Sequence, residues 1–363
     1  MRILHAADLH LDSPLNSLPA PQAAQRRREL RDLPRRLAQL AQAEGADLVL
    51  LGGDLLDAQR VYPQSIQALT QALGELSIPV FIAPGNHDPY TPQSPYATAQ
   101  WPTNVHIFST PQMEAVELPA LGAVVHGCAF TAPHREDSPL SGYTVPKDGR
   151  LHLLCVHGEV APMGRYAPIL PGQLGATGAH YAALGHIHRC SGLQFEGHTA
   201  WAYPGCPEGR GFDEAGEKGC LIVDVTHQGT TAKFVPLCCR EYRTQEVDIS
   251  TLYQTLAGLE YSDDLVRLTL TGEAETVPSL ASIAQQAATY FFYVEVTDAT
   301  TLPKQLWQRA GEDSLTGLFL RTMSEKIRVA PPEEQARLIL ATRFGLAALE
   351  GEEIGRASCR ERV

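Results

Sequence analysis

Five short apolar runs in this chain each lead into residues of metal-ligand type. The runs are Ile3-Leu4, Leu48-Val49-Leu50-Leu51, Val80-Phe81-Ile82, Leu153-Leu154-Cys155-Val156 and Tyr181 to Leu184. They are followed by Asp8-Leu9-His10, Gly53-Asp54, Gly85-Asn86-His87-Asp88, His157-Gly158 and Gly185-His186-Ile187-His188. Runs of this length bounded by Gly or Pro read as buried strands. Loops leaving the carboxyl ends of strands are held by the sheet yet stay exposed, so they carry the sites of α/β folds. One D-x-H would mean little. Five such motifs in this order point to one shared site.

The chemistry follows from the side chains. Asp54 stands midway in the set and is the natural bridge between two cations. Asp8, His10, Asp54 and His188 are assigned to the first metal, and Asp54, Asn86, His157 and His186 to the second. Two divalent ions bring four positive charges against two carboxylates, which suits a phosphate oxygen and lowers the pKa of water held between them. A mixed imidazole and oxygen shell suits Mn²⁺, with Fe²⁺, Zn²⁺ or Co²⁺ as alternatives, better than Ca²⁺ or Mg²⁺. His87 follows a ligand directly and is placed as a general acid for the leaving oxygen. Asp88 is expected to accept a hydrogen bond from that imidazole and fix its tautomer. The reaction is in-line hydrolysis at phosphorus, between metals about 3.5–4 Å apart.

A single histidine near a strand end is ordinarily a satisfied polar residue. His5, His106, His126, His134, His152, His180, His198 and His227 are read that way. The remaining pattern, D-x-H, GD, GNHD, H and GHxH, resembles the calcineurin-like metallophosphoesterase superfamily. The spelling from Ile3 to Pro14, Tyr181 to His188, Tyr203-Pro204-Gly205 and Gly209 to Cys220 is similar to bacterial DNA-repair exonucleases of the SbcD and YhaO type. The resemblance covers about residues 1–240. It implies a four-layer αββα sandwich, Mn²⁺-dependent phosphodiester cleavage, and an SMC-like ATPase partner. Some relatives place a second histidine three residues after the Asp of the GD motif. Asp57 stands there in this chain, and it is read as the N-cap of a helix from Tyr62 to Leu76.

At 363 residues with 44% apolar content the chain is an ordinary globular one of about two domains. Its start lacks the apolar run of a signal peptide, and polar residues interrupt every long apolar stretch, so neither export nor a membrane partner is indicated. Eight cysteines without a C-x-x-C are read as reduced thiols in a cytoplasmic protein. A net charge of −12 speaks against broad electrostatic attachment to DNA. Against that stands a basic cluster at Arg26, Arg27, Arg28, Arg31, Arg35 and Arg36. It is either a phosphate-contacting rim or a solvated helix face paired with Glu29 and Asp32.

Residues 1–240 are read as the metallophosphoesterase domain. The long Gly- and Pro-rich connection from Gly158 to Gly178 is a substrate-handling candidate. Arg165, Tyr166 and Arg210 are named as substrate contacts. Residues 241–330 alternate strand and helix, with strands at Arg243–Val247, Leu265–Leu270 and Phe291–Val296, and resemble the small α/β cap domain of related nucleases. A helix from Glu333 to Leu349 follows within 331–350, and residues 351–363 are read as a disordered or non-native tail. The function expected is a Mn²⁺-dependent DNA exonuclease or endonuclease. The alternatives are a phosphodiesterase or phosphatase acting on small esters, and a scaffold that binds DNA ends or an ATPase while its site is idle. A homodimer through Ile66, Leu69, Leu73 and Leu76 is weighed against core packing of the same residues.

Overall fold

The structure is a computed structural model that describes residues 1–57 and 61–350; the tail expected at 351–363 lies outside the described residues. Two compact units divide the chain, Met1–Tyr242 and the part from Arg243 on.

The first unit opens with β1 (Arg2–Ala6), α1 (Ala20–Ala43), β2 (Leu48–Leu51), α2 (Pro63–Gly74) and β3 (Val80–Ile82). A short α3 (Pro95–Thr98), β4 (Val105–Ile107), β5 (Glu114–Leu118) and β6 (Ala123–Gly127) follow. Then come β7 (Leu151–His157), α4 (Pro171–Thr177), β8 (Tyr181–Gly185), β9 (Gln194–Glu196) and β10 (Thr199–Ala202). The unit closes with the hairpin β11 (Gly219–Thr226) and β12 (Gly229–Pro236). These strands form two six-stranded sheets, in the orders β12-β11-β1-β2-β3-β4 and β5-β6-β7-β8-β10-β9. Both are mixed: β1 runs parallel to β2 and antiparallel to β11, and β6 runs parallel to β7 and antiparallel to β5.

Side chains on a strand alternate between its faces, and here both faces are covered, which is why the runs are apolar throughout. Leu4, Val49, Leu51, Val80 and Ile82 pack with Leu33, Leu37 and Ala41 of α1 and Leu69 and Leu73 of α2. Ile3, Leu48, Leu50 and Phe81 point the other way, onto Val125, Leu153, Cys155, Tyr181 and Ala183 of the second sheet. The far face of that sheet, with Leu154, Val156, Ala182 and Leu184, is covered by Ile169 and by Leu174 of α4. The result is a four-layer αββα sandwich whose second helical layer is thin.

Several expectations are corrected here. Asp57 does not cap α2. The carboxylate of Asp12 does that work from fifty residues upstream, accepting Tyr62 N at 2.8 Å and Ser65 Oγ at 2.6 Å. Leu69, Leu73 and Leu76 are core residues with Ile66 packed against them, not an open dimer face. The basic cluster is split, with Arg28 exposed and Arg27 bonded, among the described residues, to the Pro14 carbonyl alone, while the other end is engaged inside the fold. Arg26 is fully buried between Glu29 and Glu208, Arg36 pairs with Glu208 and donates to the Leu237 carbonyl, and Arg35 pairs with Asp32.

In the second unit β13 (Tyr242–Asp248), β14 (Ser262–Thr271) and β15 (Phe291–Asp298) form a three-stranded sheet, with β14 and β15 parallel. Helices α5 (Leu252–Ala257) and α6 (Leu280–Ala287) bury Leu252, Leu256 and Ile283 against Val266, Leu268 and Leu270. Two further helices follow, α7 (Leu315–Val329) and α8 (Pro332–Glu350). The sequence reading missed α7, although Ser314 caps it by accepting from Gly317 N at 3.0 Å. Among the described residues no helix is long and apolar enough to cross a membrane.

Candidate metal centre

Parallel pairing sets strand ends level. Ala6 lies opposite Leu51, Leu51 opposite Ile82, and His157 opposite Gly185. The loops after β1, β2 and β3 therefore leave one sheet at one height, and those after β7 and β8 leave the other. The sheets pack tightly at Gly52 and Gly185, where a Cβ on Gly185 would stand 2.0 Å from the Gly52 carbonyl oxygen. Only glycine fits there. The β1 loop is locked to the β2 loop by Asp8 N to Gly53 O and His10 N to Asp54 O, both 2.9 Å. Asp8, His10, Asp54 and His186 all sit at positive φ, a strained conformation for non-glycine residues that sites hold when surrounding structure over-determines it.

This framework brings the seven expected ligands together. His10 Nε2 is 3.2 Å from His188 Nε2 and 3.9 Å from Asp54 Oδ2, and His188 Nε2 is 4.0 Å from Asp8 Oδ1. On the other side His157 Nε2 is 2.9 Å from Asn86 Oδ1 and 3.5 Å from Asp54 Oδ2, and His186 Nδ1 is 3.1 Å from the same Asn86 oxygen. Asp54 thus belongs to both groups.

Proton placement decides what these contacts mean. His157 Nδ1 donates to the Gly52 carbonyl at 2.8 Å, which leaves Nε2 as a lone pair facing two oxygen acceptors. His188 Nδ1 donates to Glu214 Oε1 at 2.7 Å, so its Nε2 lone pair also faces inward. Lone pairs set against lone pairs repel unless a cation stands between them. Charge gives the same answer. Burial, and then the charge of Asp54, raises Asp8 well above the carboxylate range, and burial pushes Asp54 up to about 6 against the pull of His87. Burial also lowers His157 and His186 to about 3, which keeps both imidazoles neutral, the ligand form. The donor set fits two divalent cations: Asp8, His10 and His188 converge as one ligand group, and Asp54, His157 and His186 as another.

Residues 1–190 match the family model described as calcineurin-like phosphoesterase. The chain belongs to that family. It is similar to the uncharacterized metallophosphoesterase YhaO of Bacillus subtilis, 32% identical over 246 residues, which are 64% of this chain and 60% of YhaO. It is also similar to the DNA double-strand break repair protein Mre11 of Aeropyrum pernix, 27% identical over 68% of this chain and 64% of that protein. A third relative, a subunit of the nuclease SbcCD of Staphylococcus epidermidis, is 23% identical over 78% of this chain and 83% of its own length. The chain thus spans less than two thirds of the first two relatives.

In this phosphoesterase His87 is exposed at the mouth of the site. Its ring meets His10 edge-on at 4.8 Å, and its backbone N donates to Asp54 Oδ1 at 2.8 Å. The expected bond from His87 to Asp88 is corrected. The Asp88 carboxylate accepts instead from the backbone N of Asp54, Leu55, Leu56 and Gly85 and from Tyr96 Oη at 2.5 Å. It holds the Asp54 and Asn86 loops in register, while burial and the Asp54 charge push its carboxyl up to about 7. The ring of Tyr166 lies beside that of His186, centroids 4.9 Å apart and tilted by 37°. Arg165 is exposed, and among the described residues its side chain makes no hydrogen bond or ion pair.

Arg210 lies beside the site. Its Nη2 donates to Glu214 Oε1 at 2.6 Å, the oxygen that also holds His188. Burial works against the Glu214 charge, but the bonds from His188 and Arg210 outweigh it and hold the carboxyl below its ordinary range. Sequence reasoning passed over Glu214. The available signal was a carboxylate four residues after Arg210, inside the Gly209 to Cys220 stretch.

Proposed function

We propose that this chain is a Mn²⁺-dependent DNA exonuclease or endonuclease that hydrolyses phosphodiester bonds, acting in DNA repair. Two observations support the reading. One is the inward set of lone pairs on Asp54, Asn86, His157 and His188, which calls for paired cations. The other is that two relatives carry the names of a DNA break-repair protein and a nuclease subunit. In this reading Asp8, His10, Asp54 and His188 hold one ion, and Asp54, Asn86, His157 and His186 hold the other. When bound, such ions polarise the phosphoryl group and supply hydroxide at neutral pH.

The protein's own groups do the rest. His87 is exposed, lies beside His10 and is tied to the Asp54 carboxylate through its backbone alone, so its imidazole is free to give a proton to the leaving oxygen. Asp88 acts through position, by fixing the loops that carry Asp54 and Asn86. Glu214 sets the tautomer of His188. Tyr166 offers a ring beside His186 on which a base can stack. An SMC-like ATPase partner belongs to the same proposal, supported by one relative being named as a subunit.

A small phosphate ester is the second reading. It is favoured by the net charge of −12 and by the commitment of Arg26, Arg35 and Arg36 to internal ion pairs. End-labelled duplex and single-stranded DNA incubated with Mn²⁺, beside His87→Ala, separates the two. Metal-dependent shortening that is lost in the variant is the expected result. Intact DNA with turnover of a small diester transfers the function to the second reading.

A further inference from the structure

A cavity of about 760 Å³ opens beside the loop after β8, lined by His188, Arg189, Asp213, Glu214, Glu217 and Lys218 among others. Lys218 is its unusual member. The residue is 8% exposed, and its Nζ donates to the carbonyl oxygen of His188 at 3.2 Å. An ammonium has three donors. Among the described residues no acceptor takes the other two, and no carboxylate lies within ion-pairing distance. Buried lysines are ordinarily paired, because an isolated desolvated charge is costly. Arg26, fully buried, shows the ordinary solution with two carboxylates against it. Asp213 and Glu217 lie at exposed positions, where water and salt screen them, and Glu214 is paired with Arg210 and His188.

We propose that this cavity is an anion subsite in which Lys218 takes a second phosphate of the substrate, adjacent along the chain to the one being cleaved. His188 links the two positions, since its ring faces the metal centre while its carbonyl receives Lys218. The inference rests on the phosphoesterase reading and narrows it. The substrate class is a phosphodiester that carries a neighbouring phosphate, as a nucleic-acid strand does and a simple diester does not.

The test uses thymidine dinucleotides with no terminal phosphate, a 5′ phosphate or a 3′ phosphate, in the presence of Mn²⁺. One phosphorylated form is expected to be preferred by about tenfold in kcat/KM, chiefly through KM, as one charge-assisted contact implies. In Lys218→Met that ratio falls to near one, and in Lys218→Arg most of it returns. A merely structural lysine would lower turnover of all three dinucleotides together and leave their ratio unchanged. If none is turned over, calorimetric binding of the same three carries the same comparison. No preference in the wild type, or a preference that persists in Lys218→Met, overturns the subsite. A preference for the phosphorylated form with long DNA left intact sinks the nuclease reading alone, and DNA cleavage without the preference sinks the subsite alone.

Discussion

Glu214 shows how one residue sets another's chemistry. It accepts from His188 Nδ1 and Arg210 Nη2 through the same oxygen, and its second oxygen accepts Arg210 N at 2.8 Å. Glu214→Gln keeps the shape and removes the charge that fixes the imidazole. Its affinity for Mn²⁺, read by calorimetry, is expected to fall about 10–100-fold, the usual effect of losing a partner behind a metal-binding histidine. Unchanged affinity would show that His188 orients itself without help. At this scale the residues that converge on the site were legible in the sequence, because Asp, Asn and His at strand ends have few other uses in such density. The roles of Asp88, Arg210 and Glu214 were not. A carboxylate reads the same in sequence whether it faces a ring, a guanidinium or four backbone N–H groups.

Among the elements, the loop after β3 is the one pressed directly against a site carboxylate. A Cβ on Gly85 would stand 2.2 Å from Asp54 Oδ1 and 2.7 Å from Asp54 N. Gly85→Ala must therefore push aside the one carboxylate common to both ligand groups. The expected outcome is loss of Mn²⁺-induced thermal stabilisation, with the metal-free melting temperature changed much less. An equal drop in both would mean that the loop was needed for folding rather than for metal. Strands were readable at this scale because two-sided burial produces uninterrupted apolar runs. Capping was not, since α2 is held by Asp12, fifty residues before Tyr62. Nor was α7 recognised, although Leu320 and Met323 supply its buried face.

At the level of the whole molecule, buried histidines tie stability to pH. His5 in the first sheet bonds Tyr181 Oη at 2.8 Å and the Leu184 carbonyl at 3.1 Å, both in the second. Burial pushes its imidazole down to about 3. Because the folded pKa lies below the unfolded value near 6.5, the unfolded chain takes up a proton that the folded chain refuses. The contribution is complete above about pH 6.5 and is lost as pH falls toward 3. Denaturant melts at pH 7.5 and pH 5 should differ by about 2 kcal/mol from this group. His5→Leu should be less stable at both values but should shrink that difference, and an undiminished difference would assign the pH dependence to other groups. The sequence by itself determined which strands lead into the site and which residue types stand at their ends, because those depend on local patterns of apolar runs and strand-end residues. Tertiary structure alone decided which arginines are buried, which carboxylate supports which histidine, and that Lys218 lies buried beside the metal centre with one carbonyl against it. Those outcomes depend on contacts between residues far apart in the chain, and no local pattern encodes them.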